Sequence, residues 1–227
     1  MMTRHLDREI EKLKKQILTL SALVEQCVSR AVKSVSERDE ALATMVIDVD
    51  EEIDQLEVDV EEDCLKILAL HQPVAIDLRF VISVLKINND LERVGDLAVN
   101  IAERTLFLAS HDPIRPPYDL TEMAAKSQTM LRLSLDALMN LDARLAHEVI
   151  LSDDEVDLIN RQMFTQVQEA IKRHPGQVAQ LINYLSVSRN LERIADYATN
   201  VAEDVIYMIN GEIVRHKADT HVQKPGS

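Results

Sequence analysis

The stretch from Leu91 to Glu103 returns one hundred residues later, from Leu191 to Glu203, with eight of thirteen positions identical. Glu92, Arg93, Asp96, Asn100 and Glu103 recur as Glu192, Arg193, Asp196, Asn200 and Glu203, whereas the apolar neighbours drift, Val94 to Ile194 and Ile101 to Val201. A repeat that served packing alone would hold its apolar positions and let exposed polar ones vary. Keeping the polar set points to two copies of a polar site carried on two copies of one structural unit.

The unit is helical. Leu, Val, Ile, Ala and Glu dominate, and aromatics make up 3% of the chain, with four glycines and no Trp, a bias toward long helices over strands. Six helices can be drawn: about Asp7 to Val35, from Asp39 to about Leu70, Ile76 to Ala109, from Leu120, Asp142 to Lys172, and a last one to about Arg215. The second carries the stripe Leu42, Val46, Val49, Ile53, Leu56, Val60, an alternation of three and four that marks a bundle seam. The third carries Phe80, Val84, Ile87, Leu91, Val94, Ala98, Ile101 and Leu108, and the sixth matches it with Tyr184, Val187, Leu191, Ile194, Ala198, Val201, Val205 and Met208. Pro73 and Pro175-Gly176 end the second and fifth helices, and Pro113, Pro116 and Pro117 mark an interior linker. Asp39 and its helix correspond to Asp142 and its helix at an offset of 103. The expected fold is therefore all-α, two tandem three-helix bundles related by internal duplication, over 1–112 and 113–217, with a disordered tail over 218–227.

A formal net charge of −14 disfavours direct contact with nucleic acid or an anionic membrane surface and favours cations. Cys27 and Cys64 lie far apart among apolar neighbours and read as small core residues in a reducing compartment. The first fifteen residues are too charged for a signal peptide, and no apolar run approaches the roughly 18 to 20 residues that span a bilayer. These features predict a soluble, cytoplasmic protein.

On the third helix, Glu92, Asp96, Asn100 and Glu103 fall within a sector of roughly 80°, opposite the apolar stripe. On the second, Asp50, Asp54, Glu57 and Glu61 share a face, matched in the repeat by Asp153, Asp157 and Asn160. In an antiparallel hairpin Asp50 and Asp54 lie roughly 24 to 30 Å before the turn, and Glu92 and Asp96 the same distance after it. Asp153 and Asp157 are likewise level with Glu192 and Asp196. Four carboxylates at one level repel unless a cation sits among them. Oxygen-only ligands suit Mg, Mn or Fe ions and argue against structural zinc. A solvated acidic face held by local salt bridges is the other reading.

Catalytic signatures are missing. Gly95 and Ala195 stand where a di-iron Glu-x-x-His motif needs histidine, and no Ser-His-Asp spacing, Walker loop or Rossmann glycine pattern occurs. His71 and His174, matched in the repeat, sit at helix ends and read as dipole partners. Ile76-Asp77-Leu78-Arg79, followed by Leu91-Glu92-Arg93-Val94-Gly95-Asp96 and Asn100, resembles the signature of the PhoU phosphate-uptake regulators, and the resemblance extends over about residues 5 to 216.

That resemblance implies metal ligands at Asp50, Asp54, Glu92 and Asp96 in one half and Asp153, Asp157, Glu192 and Asp196 in the other. The second half departs from the fuller motif at Ala195 and Asn160. It also implies a non-enzymatic regulator, expected as a homodimer. This regulator would repress the phosphate-starvation response through contacts with the ATPase subunit of the phosphate ABC transporter and a sensor histidine kinase. Any membrane association would then be peripheral, through those partners. A carboxylate-bridged metalloenzyme and a metal-free helical scaffold are the alternatives.

Overall fold

The structure is a computed structural model that describes residues 2–214, with the side chains of residues 2–4 outside the description; the expected tail over 218–227 lies outside the described residues. Among the described residues there are seven α-helices and one 3-10 turn: α1 Met2–Glu37, α2 Glu40–Asp48, α3 Asp50–His71, α4 Ala75–Ala109, α5 Leu120–Asn140, α6 Ala143–Arg173 and α7 Val178–Asn210. Among the described residues there is no strand, and no helix is long and apolar enough to cross a membrane. Helix α1, the α2–α3 arm and α4 form the first bundle, and α5, α6 and α7 the second.

The first helix of each bundle ends in the same turn. Ser34 and Ala137 carbonyls accept from the backbone N–H of Asp39 and Asp142, both at 3.0 Å. The residue before each Asp, Arg38 and Leu141, is left-handed with φ of 55° and 50°. Neither is glycine, so each turn costs about 1 kcal/mol of backbone strain. The following aspartate offsets it by capping: Asp39 Oδ1 accepts from Leu42 N at 2.9 Å, and Asp142 Oδ1 from Arg144 N and Leu145 N at 2.9 and 3.1 Å. Arg38 also turns its guanidinium onto the carbonyls of Leu108 and His111 at the α4 C-terminus, where a cation meets the negative helix end.

Three boundaries differ from the sequence expectation, the first being the start of α1 at Met2, about five residues before Asp7. The second helix is broken: α2 stops at Asp48, Val49 forms a one-residue turn, and α3 restarts at Asp50. Its repeat partner α6 runs unbroken through the equivalent Leu151 and Ser152. Val46, Ile47 and Val49 crowd three β-branched side chains around Asp48, a weak helical segment that the repeat lightens to Val149, Ile150, Leu151 and Ser152. The sixth predicted helix ends at Asn210, not near Arg215, because Gly211 takes a left-handed cap at φ 73° and donates its N–H to the Tyr207 carbonyl. The α4 and α7 stripes face inward as the periodicity requires, with Val84, Leu91, Val187 and Leu191 at most 1% exposed. The α2–α3 stripe is looser: Val46, Ile53 and Val60 are buried, whereas Leu42, Val49 and Leu56 are half-buried.

The two bundles share one core, because α4 and α7 pack against each other antiparallel. Lys86 Nζ lies 3.1 Å from Asp204 Oδ1 and 5.4 Å from the centroid of the Tyr207 ring, and Arg79 lies against Gly211. Cys27 and Cys64 are free and buried, and burial pushes the Cys64 thiol up to about 12, which leaves it inert.

One packing detail bears on the site. A Cβ on Gly95 would lie 3.2 Å from both Cδ1 and Cγ2 of Ile53, tighter than ordinary contact. The equivalent positions in the second half hold Ala195 and Val156, both buried. One methyl group has been exchanged across the helix pair. Gly95→Ala should therefore destabilise by about 1 to 2 kcal/mol, overpacking outweighing the gain of roughly 1 kcal/mol in helix propensity. Adding Ile53→Val should recover much of that loss, with a coupling energy of about 1 kcal/mol in a denaturant-melt cycle. Strict additivity would show that the two sites do not share the strain.

Candidate functional site

The eight predicted carboxylates sit in two clusters, one in each helical hairpin. In the first, Asp50 is the opening residue of α3, Asp54 follows one turn on, and Glu92 and Asp96 face them from α4. Burial pushes the Asp50 carboxyl above its ordinary value, with further pushes from Asp54 and from Asp96 across the hairpin. Glu92 is raised for the same reasons, burial first and then Asp96, with Arg93 opposing and Asp54 and Glu57 adding to the rise. Arg93 straddles its own helix: Nε is 3.4 Å from Glu92 Oε2, and an η-nitrogen is 3.5 Å from Asp96 Oδ2. Glu92 Oε2 is buried and has no hydrogen-bond partner.

Two further residues complete this cluster. Asn88, wholly buried, donates from Nδ2 to the Glu57 carbonyl at 2.9 Å and to Glu57 Oε1 at 3.3 Å. It thereby ties α3 to α4 and fixes the Glu57 carboxylate beside the predicted set. Burial, then Glu61 and Asp54, raises the Glu57 carboxyl. Glu57 shares the acidic face in the helical periodicity. Asn88 carries no signal of that kind, because an isolated Asn within an apolar stripe reads the same whether it bridges helices or not.

The second cluster is tighter. Asp157 on α6 and Glu192 and Asp196 on α7 each offer a carboxylate oxygen, and these oxygens all lie within 4.8 Å of one another. Among the described residues no other group of three acidic, His or Cys side chains converges this way. Asp153 stands beside it on α6, raised by burial and then by Asp157, with Thr199 opposing the rise and its Oδ1 buried. Glu192 is raised by burial and then by Asp157. Asp196 is pushed from 3.8 to about 6, by burial first and then by Glu192, Asp153 and Asp157.

The halves differ for visible reasons. In the first, Arg93 bridges the α4 pair and offsets one of its two charges, and Asp50 sits in the first turn of α3, where the helix dipole favours its negative charge. In the second, α6 is continuous through Asp153, which removes that help; Arg161 pairs with Asp157 from outside at 2.9 Å, and Arg189 and Arg193 oppose the rise of Glu192, and Arg193 that of Asp196, without closing an ion pair on either. Convergence of carboxylates is greatest around Asp157, Glu192 and Asp196.

A duplicated pair of three-helix bundles with an acidic cluster in each hairpin defines a class of all-helical proteins, and comparison with known proteins identifies the family. The chain belongs to the PhoU family: the PhoU domain model matches residues 17–105 and again 120–205, once per bundle. The chain is 37% identical over 219 residues to a phosphate-specific transport system accessory protein PhoU homolog of Aquifex aeolicus, covering 96% of this chain and 98% of that one. It is 34% identical to the corresponding homolog of Pseudomonas aeruginosa, over 98% and 94% of the two chains. The crystal structure of PhoU from Pseudomonas aeruginosa superposes with a TM-score of 0.87 at 35% identity, covering 91% of this chain and 99% of that one. That of the phosphate transport system regulatory protein PhoU from Streptococcus pneumoniae gives 0.81 at 31% identity, over 92% and 99%.

The raised Asp196 carboxyl contributes to the pH response of the metal-free protein. Between its ordinary value and about 6 the folded state holds the proton more tightly than the unfolded chain does. Its contribution to stability is therefore largest at the acid end of that window and falls as pH rises through the folded value. Asp196→Asn should melt close to wild type at pH about 4.5 and above it at pH about 7.5, in chelator. A mutant advantage that shrank with rising pH would contradict this electrostatic picture.

Proposed function

We propose that this chain is an accessory regulator of phosphate-specific transport that works as a metal-binding helical adaptor and not as an enzyme. The observation that carries the reading is the family match in both bundles, together with the acidic cluster in each hairpin. It acts in the cytoplasm as a homodimer and contacts the ATPase subunit of the phosphate ABC transporter and a phosphate-responsive sensor histidine kinase. Through these contacts it holds the starvation response off when phosphate is plentiful. A chain of net charge −14 is poorly suited to capture phosphate directly, so the phosphate signal enters through the partners.

The carboxylate set fits a hard or intermediate cation. Three convergent oxygens, with the buried Oδ1 of Asp153 beside them, form an oxygen-only donor set suited to Mg, Mn or Fe. Asp153, Asp157, Glu192 and Asp196 would hold the ion in the second half, and Asp50, Asp54, Glu92 and Asp96 in the first. A bound cation supplies the positive charge that these carboxylates lack. The residues themselves hold four acids at one level of a rigid hairpin and so set the charge of the face offered to a partner.

Because the second cluster converges and the first is bridged by Arg93, the two should part on mutation. Glu192→Gln with Asp196→Asn should remove more bound Mn or Fe, measured by elemental analysis after equilibrium dialysis, than Glu92→Gln with Asp96→Asn. The opposite ranking would show that Arg93 does not compete with the metal. For the regulatory role, deletion should leave a phosphate-starvation reporter on in high phosphate. The tagged protein should also retain the transporter ATPase subunit or the kinase's cytoplasmic region in a pull-down. A reporter that stays repressed, with neither partner captured, would sink the reading and raise that of a carboxylate-bridged metalloenzyme.

A further inference from the structure

The two halves gather their acids differently. In the second, Asp157, Glu192 and Asp196 converge. Their equivalents Asp54, Glu92 and Asp96 do not draw together in this way, and Arg93 lies against Glu92 and Asp96 at 3.4 and 3.5 Å. One carboxylate of the first half is nonetheless fixed in direction, and it belongs to neither repeated pair. Glu57 follows Asp54 by three residues on α3, about one turn nearer the hairpin turn, and is half-buried where Asp54 is exposed.

The fixing is done by a side chain that solvent does not reach. Asn88 is 0% exposed, and its Nδ2 donates to the Glu57 carbonyl at 2.9 Å and to Glu57 Oε1 at 3.3 Å. Both acceptors belong to one residue of the facing helix. Asn88 Oδ1 is buried without a hydrogen-bond partner, on the same planar amide and so only a few ångströms from that carboxylate. An orphaned buried acceptor is destabilising, and a group that only tied two helices could be replaced by apolar packing, as the rest of this stripe is. The amide instead holds Glu57 in one orientation. Glu92 faces it from α4, one turn beyond Asn88. Burial comes first in raising the Glu92 carboxyl, and Asp54 and Glu57 both add to the rise, so the three acids lie within electrostatic reach of one another.

The second half lacks both parts of this arrangement. Asn160 takes the place of Glu57 and Ser188 that of Asn88. The Ser188 hydroxyl donates back to the Leu185 carbonyl of its own helix at 2.9 Å.

We propose that Glu57 is a cation ligand of the first half, held in place by Asn88, so that this site sits about one turn nearer its hairpin turn than the second. The inference rests on the metal-binding reading above and adds to its ligand set. Asp54, Glu57 and Glu92 supply carboxylate oxygens on the side away from the Arg93–Asp96 contact, and Asn88 is the positioning residue. Glu57 is already ordered, so its use costs less side-chain entropy than drawing in an exposed acid such as Glu61. An oxygen-only set with a neutral amide oxygen beside it suits Mg or Mn.

The parent for the test is the full-length protein carrying Glu192→Gln with Asp196→Asn, which silences the second site. Mn(II) is titrated in, and the free ion is read from its EPR signal. Glu57→Gln should weaken binding by at least about tenfold without lowering the melting temperature in chelator, because the glutamine carbonyl still accepts from Asn88. Asn88→Ser, which copies the second half, should weaken it by about tenfold. Glu61→Gln makes the same change of charge about one turn along the same face and should stay within about twofold of the parent. A helix tie with no part in binding predicts another pattern: Asn88→Ser would lower the melting temperature alone, and Glu57→Gln would change neither quantity. That pattern, or equal losses from Glu57→Gln and Glu61→Gln, would overturn the proposal. A parent that binds no Mn(II) would remove it together with the metal reading of the first half. A parent that binds, with Glu57→Gln binding equally well, would remove this inference alone.

Discussion

The antiparallel packing of α4 against α7 is the contact on which the rest of the molecule depends. Each is the third helix of its own bundle, buried on one side by its bundle partners and on another by its counterpart. A three-helix unit of about a hundred residues has a small core, and joining two through their longest apolar stripes deepens both. The interface is nearly symmetric in its apolar residues and asymmetric in its charge. Lys86 pairs with Asp204, whose side chain is 3% exposed, and the positions that a perfect duplication would pair hold Ser186 and Arg104. Burying a carboxylate costs several kcal/mol unless it is matched, so this pair penalises alternative registers as well as holding the chosen one.

That register places the two acidic clusters at one level of the molecule. With Arg79 beside Gly211 and Lys86 beside Asp204, Glu92 and Asp96 lie roughly opposite residues 194 to 198 of α7. The apolar seam thus acts as a ruler for the polar sites, which lie on helix faces that the seam itself does not use. Gathering like charges raises proton affinity in both halves, at Asp50, Glu57 and Glu92 in the first and at Asp153, Glu192 and Asp196 in the second, and only in the first does an arginine, Arg93, bridge the pair on the bundle's third helix. Duplication has therefore produced two related sites with different electrostatics.

Much of this was legible in the sequence, for reasons that can be named. The stripes from Val84 to Leu108 and from Tyr184 to Met208 follow a strict helical period, so helix phase, core face and duplication could be read together. The acids at Asp50, Asp54, Glu92 and Asp96 could be placed at one level because helical rise is constant and the hairpin turn was marked by Pro73. The break at Val49 was not legible, since a β-branched run lowers helical propensity without fixing where a helix yields. Nor was the role of Asn88, whose partners on α3 are 31 residues away in the chain.

The sequence by itself determined the all-helical class, the twofold repeat and the identity of the acidic faces, because these depend on periodicity and on residue type, both local properties. Tertiary structure alone decided which cluster converges. The position of Arg93 over Glu92 and Asp96, the continuity of α6 through Asp153 and the 4.8 Å approach of Asp157, Glu192 and Asp196 are set by side-chain directions and helix separations of a few ångströms. Spacing along the chain cannot resolve such distances.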